Sequence, residues 1–151
     1  MNSRTQKCIE DCRNMTIREC TIHDVSELAV MNKQLIEDEQ SNNPMSMDEL
    51  EKRMASFLNG YYKAYFFEED DQVIGYALVN HSSEPLYLRQ FFIGRDFRRR
   101  HLGEQAFQLL ISYLDTDMID IDVLPWNKAG YSFWKKCGFD ESCISMRYVG
   151  K

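Results

Sequence analysis

Three long runs rich in aromatic and branched residues, Tyr61–Phe67, Val73–Asn80 and Leu86–Ile93, follow one another closely in this chain. Only the acidic stretch Glu68–Asp71 separates the first two, which is too short for anything but a hairpin. Gly75 inside the second run points to a bulge or a close backbone approach, because glycine otherwise weakens a strand. Three adjoining strands of this kind must bury at least one face against helices.

The flanking segments supply those helices. Residues 1–14 lack periodicity and read as an N-terminal extension to a single domain over 15–151. Thr16–Cys20 reads as a short first strand. Asp24, with Glu27 three residues on, predicts a capped helix running to about Asp38, with Val25, Leu28, Leu35 and Ile36 on its apolar stripe. Asn42-Asn43-Pro44 breaks it. A second helix begins at Ser46 with Glu49 as reciprocal cap, and Asn59-Gly60 stops it. After Ile93 come a helix over Leu102–Leu114, a strand over Met118–Leu124, a helix over Asn127–Lys136 and a last strand over Ile144–Tyr148. The order β-α-α-β-β-β-α-β-α-β describes one mixed α/β layer system.

Charge narrows the function. The chain of 151 residues carries a net charge of −6. Between 89 and 100, Arg89, Arg95, Arg98, Arg99 and Arg100 face only Asp96, a local +4 that leaves −10 for the remainder. One positive spot on an acidic body suits a small anionic ligand and disfavours nucleic acid. No apolar run reaches the ~18 residues of a membrane span, and the polar N-terminus has no signal-peptide core, so a soluble cytoplasmic protein without membrane partners is expected. Five cysteines without a C-x-x-C pair or a partnering histidine set make no zinc site, and no metal is expected.

Phe91–Glu104, FFIGRDFRRRHLGE, is the informative stretch: a strand ends, three arginines follow, and a helix opens at Leu102-Gly103. Helix N-termini present free N–H groups and the positive dipole end, so such a junction cradles phosphate. A solvated charge run is the competing reading, and the strand-to-helix position favours the anion site. The second stretch is Trp126–Phe139, WNKAGYSFWKKCGF, whose aromatics also fit an ordinary amphipathic helix.

Together the two stretches resemble the GCN5-related N-acetyltransferase (GNAT) family over about Met15–Tyr148. Arg98-Arg99-Arg100-His101-Leu102-Gly103 is similar to its acetyl-CoA loop, with His101 in place of the first glycine. Asn127, Gly130, Phe133, Trp134, Gly138 and Phe139 follow its later motif. The resemblance implies an acyl-CoA N-acyltransferase fold, a mostly antiparallel sheet flanked by about four helices. It also implies acetyl-CoA as co-substrate, on which a primary amine of a small molecule or peptide attacks directly. Phe91, Phe92 and Ile93 would pair with the pantetheine arm. Arg98, Arg99, Arg100, His101, Leu102, Gly103 and Glu104 would wrap the pyrophosphate, and Asn127, Phe133 and Trp134 would line the arm and the sulfur.

Proton transfer is where the chain departs from the family. Trp134 stands where many relatives carry a tyrosine, and indole has no useful acidity. Tyr131, one turn earlier, is the candidate acid. Arg89 and Gln90 stand where relatives often carry an acidic base. Glu37, Asp38 and Glu39 end the first helix beside the expected acceptor pocket and would draw in a cationic amine, with Glu37 a candidate base or amine contact and Glu39 an amine contact. A catalytically weak acyl-CoA sensor of the same fold is the alternative; the oligomeric state is not readable, and the aromatic surface strands are compatible with a homodimer.

Overall fold

The computed structural model describes residues 15–98 and 100–151. The extension over 1–14 and Arg99 lie outside the described residues. Five strands form one sheet in sequence order: β1 (Met15–Glu19), β2 (Tyr62–Glu69), β3 (Gln72–Asn80), β4 (Leu86–Ile93) and β5 (Ile119–Ile121). The first four run antiparallel, each to its neighbour, and β5 joins β4 in parallel. Four helices complete the fold: α1 (Val25–Asp38), α2 (Met47–Asn59), α3 (Leu102–Leu114) and α4 (Lys128–Lys136). None of the described helices is long and apolar enough to cross a membrane.

The hairpin forms as its sequence requires. Asp70 and Asp71, at φ 52° and 61°, make the two-residue left-handed turn that matches the twist of paired strands. Both sheet faces are covered. Alternate residues of β2–β4, including Phe66, Tyr76, Leu78 and Phe92, bury against Leu28 and Leu35 of α1 and Met54 of α2. The other set, with Phe67, Ala77, Val79 and Leu88, buries against Leu102, Ala106, Phe107 and Leu110 of α3. Gly75 is the close approach its sequence position suggests: a Cβ there would stand 2.1 Å from the Phe92 carbonyl oxygen of β4.

Caps decide the helix ends. Ser46 and Glu49 close a reciprocal box at the start of α2, and Asn127 Oδ1 accepts from the Gly130 N–H at 3.0 Å to start α4. The first helix starts differently from expectation. Thr21 caps a 3-10 turn, Ile22–Asp24, while the Asp24 carboxylate returns to the Thr21 N–H and pairs with Arg18, so it caps no turn of α1. The strand expected over Met118–Leu124 shortens to three residues.

The last strand is a correction. Residues 141–149 form no ladder, and Ile144, Met146 and Tyr148 are 84%, 92% and 93% exposed. A cleft of about 810 Å³, lined by Ile119 and Ile121 of β5, Phe107, Trp134 and Phe139, lies between β5 and this segment. Alternation describes a strand only when an edge is within hydrogen-bonding reach, and none is.

Candidate functional site

Strand β4 parts from β5 halfway along its length. Pairing is limited to Leu86–Leu88 against Ile119–Ile121, so from Arg89 to Ile93 the outer edge of β4 has no strand partner among the described residues. The cause is a bulge. Leu78 lies opposite Gln90 while Val79 lies opposite Leu88, which leaves Arg89 as the extra residue. A bulge bends its strand and re-aims its side chains, and here it opens the sheet like a V. The outward-facing N–H and C=O groups along Arg89–Ile93 must find partners in water or in a ligand, apart from the Ile93 carbonyl, which accepts from Arg98.

The N-terminus of α3 faces that opening. His101 precedes it in a left-handed conformation, φ 58°, and no side chain caps the first turn. Its N–H groups at Leu102, Gly103 and Glu104 belong to the set a helix leaves unsatisfied. Gly103 is needed for packing: a Cβ there would stand 3.0 Å from the Phe133 ring and 3.9 Å from Ile93. Strand end, helix start and α4 thus converge at one glycine.

The described arginines of the loop, Arg95, Arg98 and Arg100, are already engaged. Arg98 Nε donates to the Ile93 carbonyl at 2.8 Å, its Nη2 lies 2.5 Å from Asp38, and its guanidinium lies 5.4 Å above the Phe92 ring. Arg95 spans Asp38 at 2.9 Å and Glu37 at 3.3 Å, and Arg100 meets Glu69 at 3.1 Å. Burial works to raise the Asp38 carboxyl, but hydrogen bonds from Arg98 and Arg95 hold it below its ordinary value. Solvent-exposed pairs of this kind contribute about 0–1 kcal/mol each, so a polyanion can displace them.

Helix α4 contributes an aromatic wall. Phe133 stacks on Phe91 at 6.0 Å, and Trp134 meets Phe91, Phe107 and Phe139 edge-on at 5.1, 5.5 and 5.2 Å. Phe91 and Ile93 face this wall, whereas Phe92 faces α1 and α2. Tyr131 is exposed and donates its hydroxyl to Glu141, a hydrogen bond that raises the phenol and draws the carboxyl down to about 2. Burial pushes the Cys137 thiol up to about 11, unsuited to a nucleophile.

On the opposite face, the end of α1 borders a polar layer. Glu37 and Asp38 are taken by Arg95 and Arg98, which leaves Glu39 as the carboxyl of the three without an ion-pair partner among the described residues. Burial, with the Asp38 charge beside it, raises Glu39 above its ordinary value. Trp126 Nε1 donates to the Glu39 carbonyl at 3.0 Å and ties the α4 approach to the end of α1. Beneath lie Tyr76, whose hydroxyl donates to Gln90 at 2.8 Å, and Asn32, which accepts from Arg53 Nη2 at 2.9 Å. Asn32, Arg53 and Tyr76 were not readable as site residues. The available signal was Asn32 itself, a polar side chain in the apolar phase of α1, buried to 1% exposure.

The acetyltransferase (GNAT) family model matches residues 28–139. Among solved structures, the chain is similar to a possible acetyltransferase from Clostridium difficile 630, at 17% identity and a TM-score of 0.75, covering 91% of this chain and 97% of that one. It is also similar to the aminoglycoside N-acetyltransferase AAC(6')-Iy in complex with CoA, at 19% identity, a TM-score of 0.70 and coverage of 91% and 95%. A predicted acetyltransferase with acetyl-CoA from Clostridium acetobutylicum follows at 18%, 0.69, and 89% and 96%. No curated protein matches the sequence. At these identities the structures speak to the fold.

Proposed function

The chain belongs to the GNAT acetyltransferase family, and on that premise we propose that it transfers the acetyl group of acetyl-CoA to a primary amine on a small molecule or peptide by direct attack. The observation that carries the reading is the unpaired edge of β4, Arg89–Ile93, opening toward the uncapped N-terminus of α3. Bound acetyl-CoA supplies the thioester whose acetyl carbon accepts the amine nitrogen while the CoA thiolate leaves.

Each residue set has a part in that reading. The outward-facing backbone groups of the Phe91–Ile93 edge hold the amides of the pantetheine arm, and an N–H of this edge stabilises the developing oxyanion, an effect of roughly 3 kcal/mol in acyl transfer. The N–H groups of Leu102, Gly103 and Glu104, with His101 and the arginines 98–100, hold the pyrophosphate. Asn127 starts α4, which brings Phe133 and Trp134 against the strand. Glu39 contacts the amine and accepts its proton, a role that its raised pKa and lack of an ion-pair partner support over the exposed, paired Glu37. Tyr131 is the candidate donor to the thiolate. Positioning the two reactants supplies much of the rate whichever groups carry the protons.

Exposed Ile144, Met146, Tyr148 and Val149 support a homodimer that covers them. Free Cys20, Cys137 and Cys143 fit a reducing cytoplasm. The test is thiol release from acetyl-CoA with a panel of amines. Amine-dependent CoA production supports transfer, whereas tight acetyl-CoA binding with no turnover on any amine points to a sensor.

A further inference from the structure

Two guanidinium groups on the α1/α2 face have no acidic partner among the described residues. Arg53 of α2 lies 5.6 Å from the centroid of the Phe57 ring and Arg89 of β4 lies 4.9 Å from the same centroid. Neither pairs with a carboxylate among the described residues, although Arg18, Arg95, Arg98 and Arg100 all do. Arg53 is fixed by a neutral acceptor, Asn32, and its Nε is buried without any partner. Arg89 donates to the Tyr62 hydroxyl at 3.4 Å. Its aim comes from the bulge, which sends Arg89 and the adjacent Gln90 to one side of the sheet. Two like charges held on one ring by uncharged groups leave a place for an anion.

We propose that Arg53 and Arg89 form an oxyanion-recognition subsite of the acceptor pocket, and that the acceptor is an amine bearing a carboxylate or phosphate on the same small molecule. This deepens the acetyltransferase reading and rests on it. The charge layout of the face agrees. Arg95 and Arg98 neutralise Glu37 and Asp38, so Glu39 remains for the ammonium end and the two arginines for the anionic end, with the Tyr76–Gln90 hydrogen bond in the same polar layer. Burial and the Arg89 charge both lower the Arg53 pKa, as expected for cations lacking a counter-ion. A polycation would meet this pair with like charge.

The test compares matched acceptors at saturating acetyl-CoA: phenylalanine with phenethylamine, lysine with cadaverine, and phosphoethanolamine with ethanolamine. The anionic member of at least one pair is expected to show a tenfold or greater advantage in kcat/KM, roughly the discrimination a charged hydrogen-bonding group confers. The pair concerned separates carboxylate from phosphate. Arg89→Gln and Arg53→Gln are expected to erase that advantage by raising the acceptor KM, with acetyl-CoA affinity unchanged by calorimetry. Equal use of both members in every pair, or an advantage that survives in both variants, overturns the proposal. A readout free of turnover accompanies it: calorimetry of N-acetylphenylalanine against N-acetylphenethylamine, and of N-acetylphosphoethanolamine against N-acetylethanolamine, with and without CoA. Stronger binding of an acidic member, lost in Arg89→Gln, supports the subsite, and identical binding within both pairs refutes it. A protein that bound the anionic probes but no acetyl-CoA would instead fail the acetyltransferase reading.

Discussion

Gly75→Ala is the substitution that most sharply tests the packing around the opened strand. The added Cβ would meet the Phe92 carbonyl oxygen at 2.1 Å, with Ile93 Cδ1 and Cα at 3.0 and 3.1 Å. The nearest atom belongs to the backbone, so no rotamer change relieves the contact. Reaching even 3.0 Å requires about 0.9 Å of separation between β3 and β4. The Gly94 N–H bond to the Ile74 carbonyl, 2.7 Å long, lies next to the clash and would stretch with it. One or two weakened ladder bonds at about 1 kcal/mol each, added to roughly 1–3 kcal/mol for overpacking, give a loss of about 2–5 kcal/mol. For a domain of this size that lowers Tm by roughly 10 °C. Urea denaturation reads the loss directly, and a variant within 1 kcal/mol of the parent would refute the argument. The same shift displaces the backbone groups of Phe92 and Ile93 at the pantetheine edge, so kcat/KM is expected to fall by about 100-fold in the fraction that stays folded.

Charge reversal of Arg98 and Arg100 to Glu is expected to weaken acetyl-CoA binding more than tenfold, and unchanged affinity by calorimetry would remove them from the phosphate site. Glu39→Gln is expected to lower kcat/KM and to abolish an acidic limb that lies above the ordinary glutamate value of 4.5. The sign for stability is opposite to that of an ion-paired carboxylate. A raised native pKa means that ionising Glu39 opposes folding, increasingly as pH rises from the unfolded value through the native one, so the variant should be at least as stable at pH 7. Retention of the limb in Glu39→Gln would assign the base elsewhere. Tyr131→Phe is expected to slow turnover with cofactor affinity intact, and to release the Glu141 carboxyl upward from about 2 in an NMR titration. Full activity would discard Tyr131 as the acid.

What was readable in the sequence was local. The Asp70-Asp71 hairpin, the Ser46–Glu49 box and the strand-to-helix junction before Leu102 each depend on residues a few positions apart. What was not readable depends on distant partners. Arg98 and Asp38 lie 60 positions apart, and nothing in the arginine run announces that it would be bridged to the acids at the end of α1. The bulge at Arg89 is a property of register between two strands, so neither the opening of β4 nor the arginine pair over Phe57 could be read from β4 alone. Ile144, Met146 and Tyr148 alternate in the sequence as a strand would, yet they form none, because a strand also needs an edge to join.

Calorimetric titration with acetyl-CoA, with adenosine 3′,5′-bisphosphate as a control for the nucleotide end, tests most directly whether the opened β4 edge and the start of α3 form one site. Micromolar binding is expected, tighter for the intact acetyl-CoA, because the arm engages the Phe91–Ile93 edge while the phosphates engage the helix. Absence of binding at millimolar acetyl-CoA, or equal affinity for the nucleotide fragment, would contradict it.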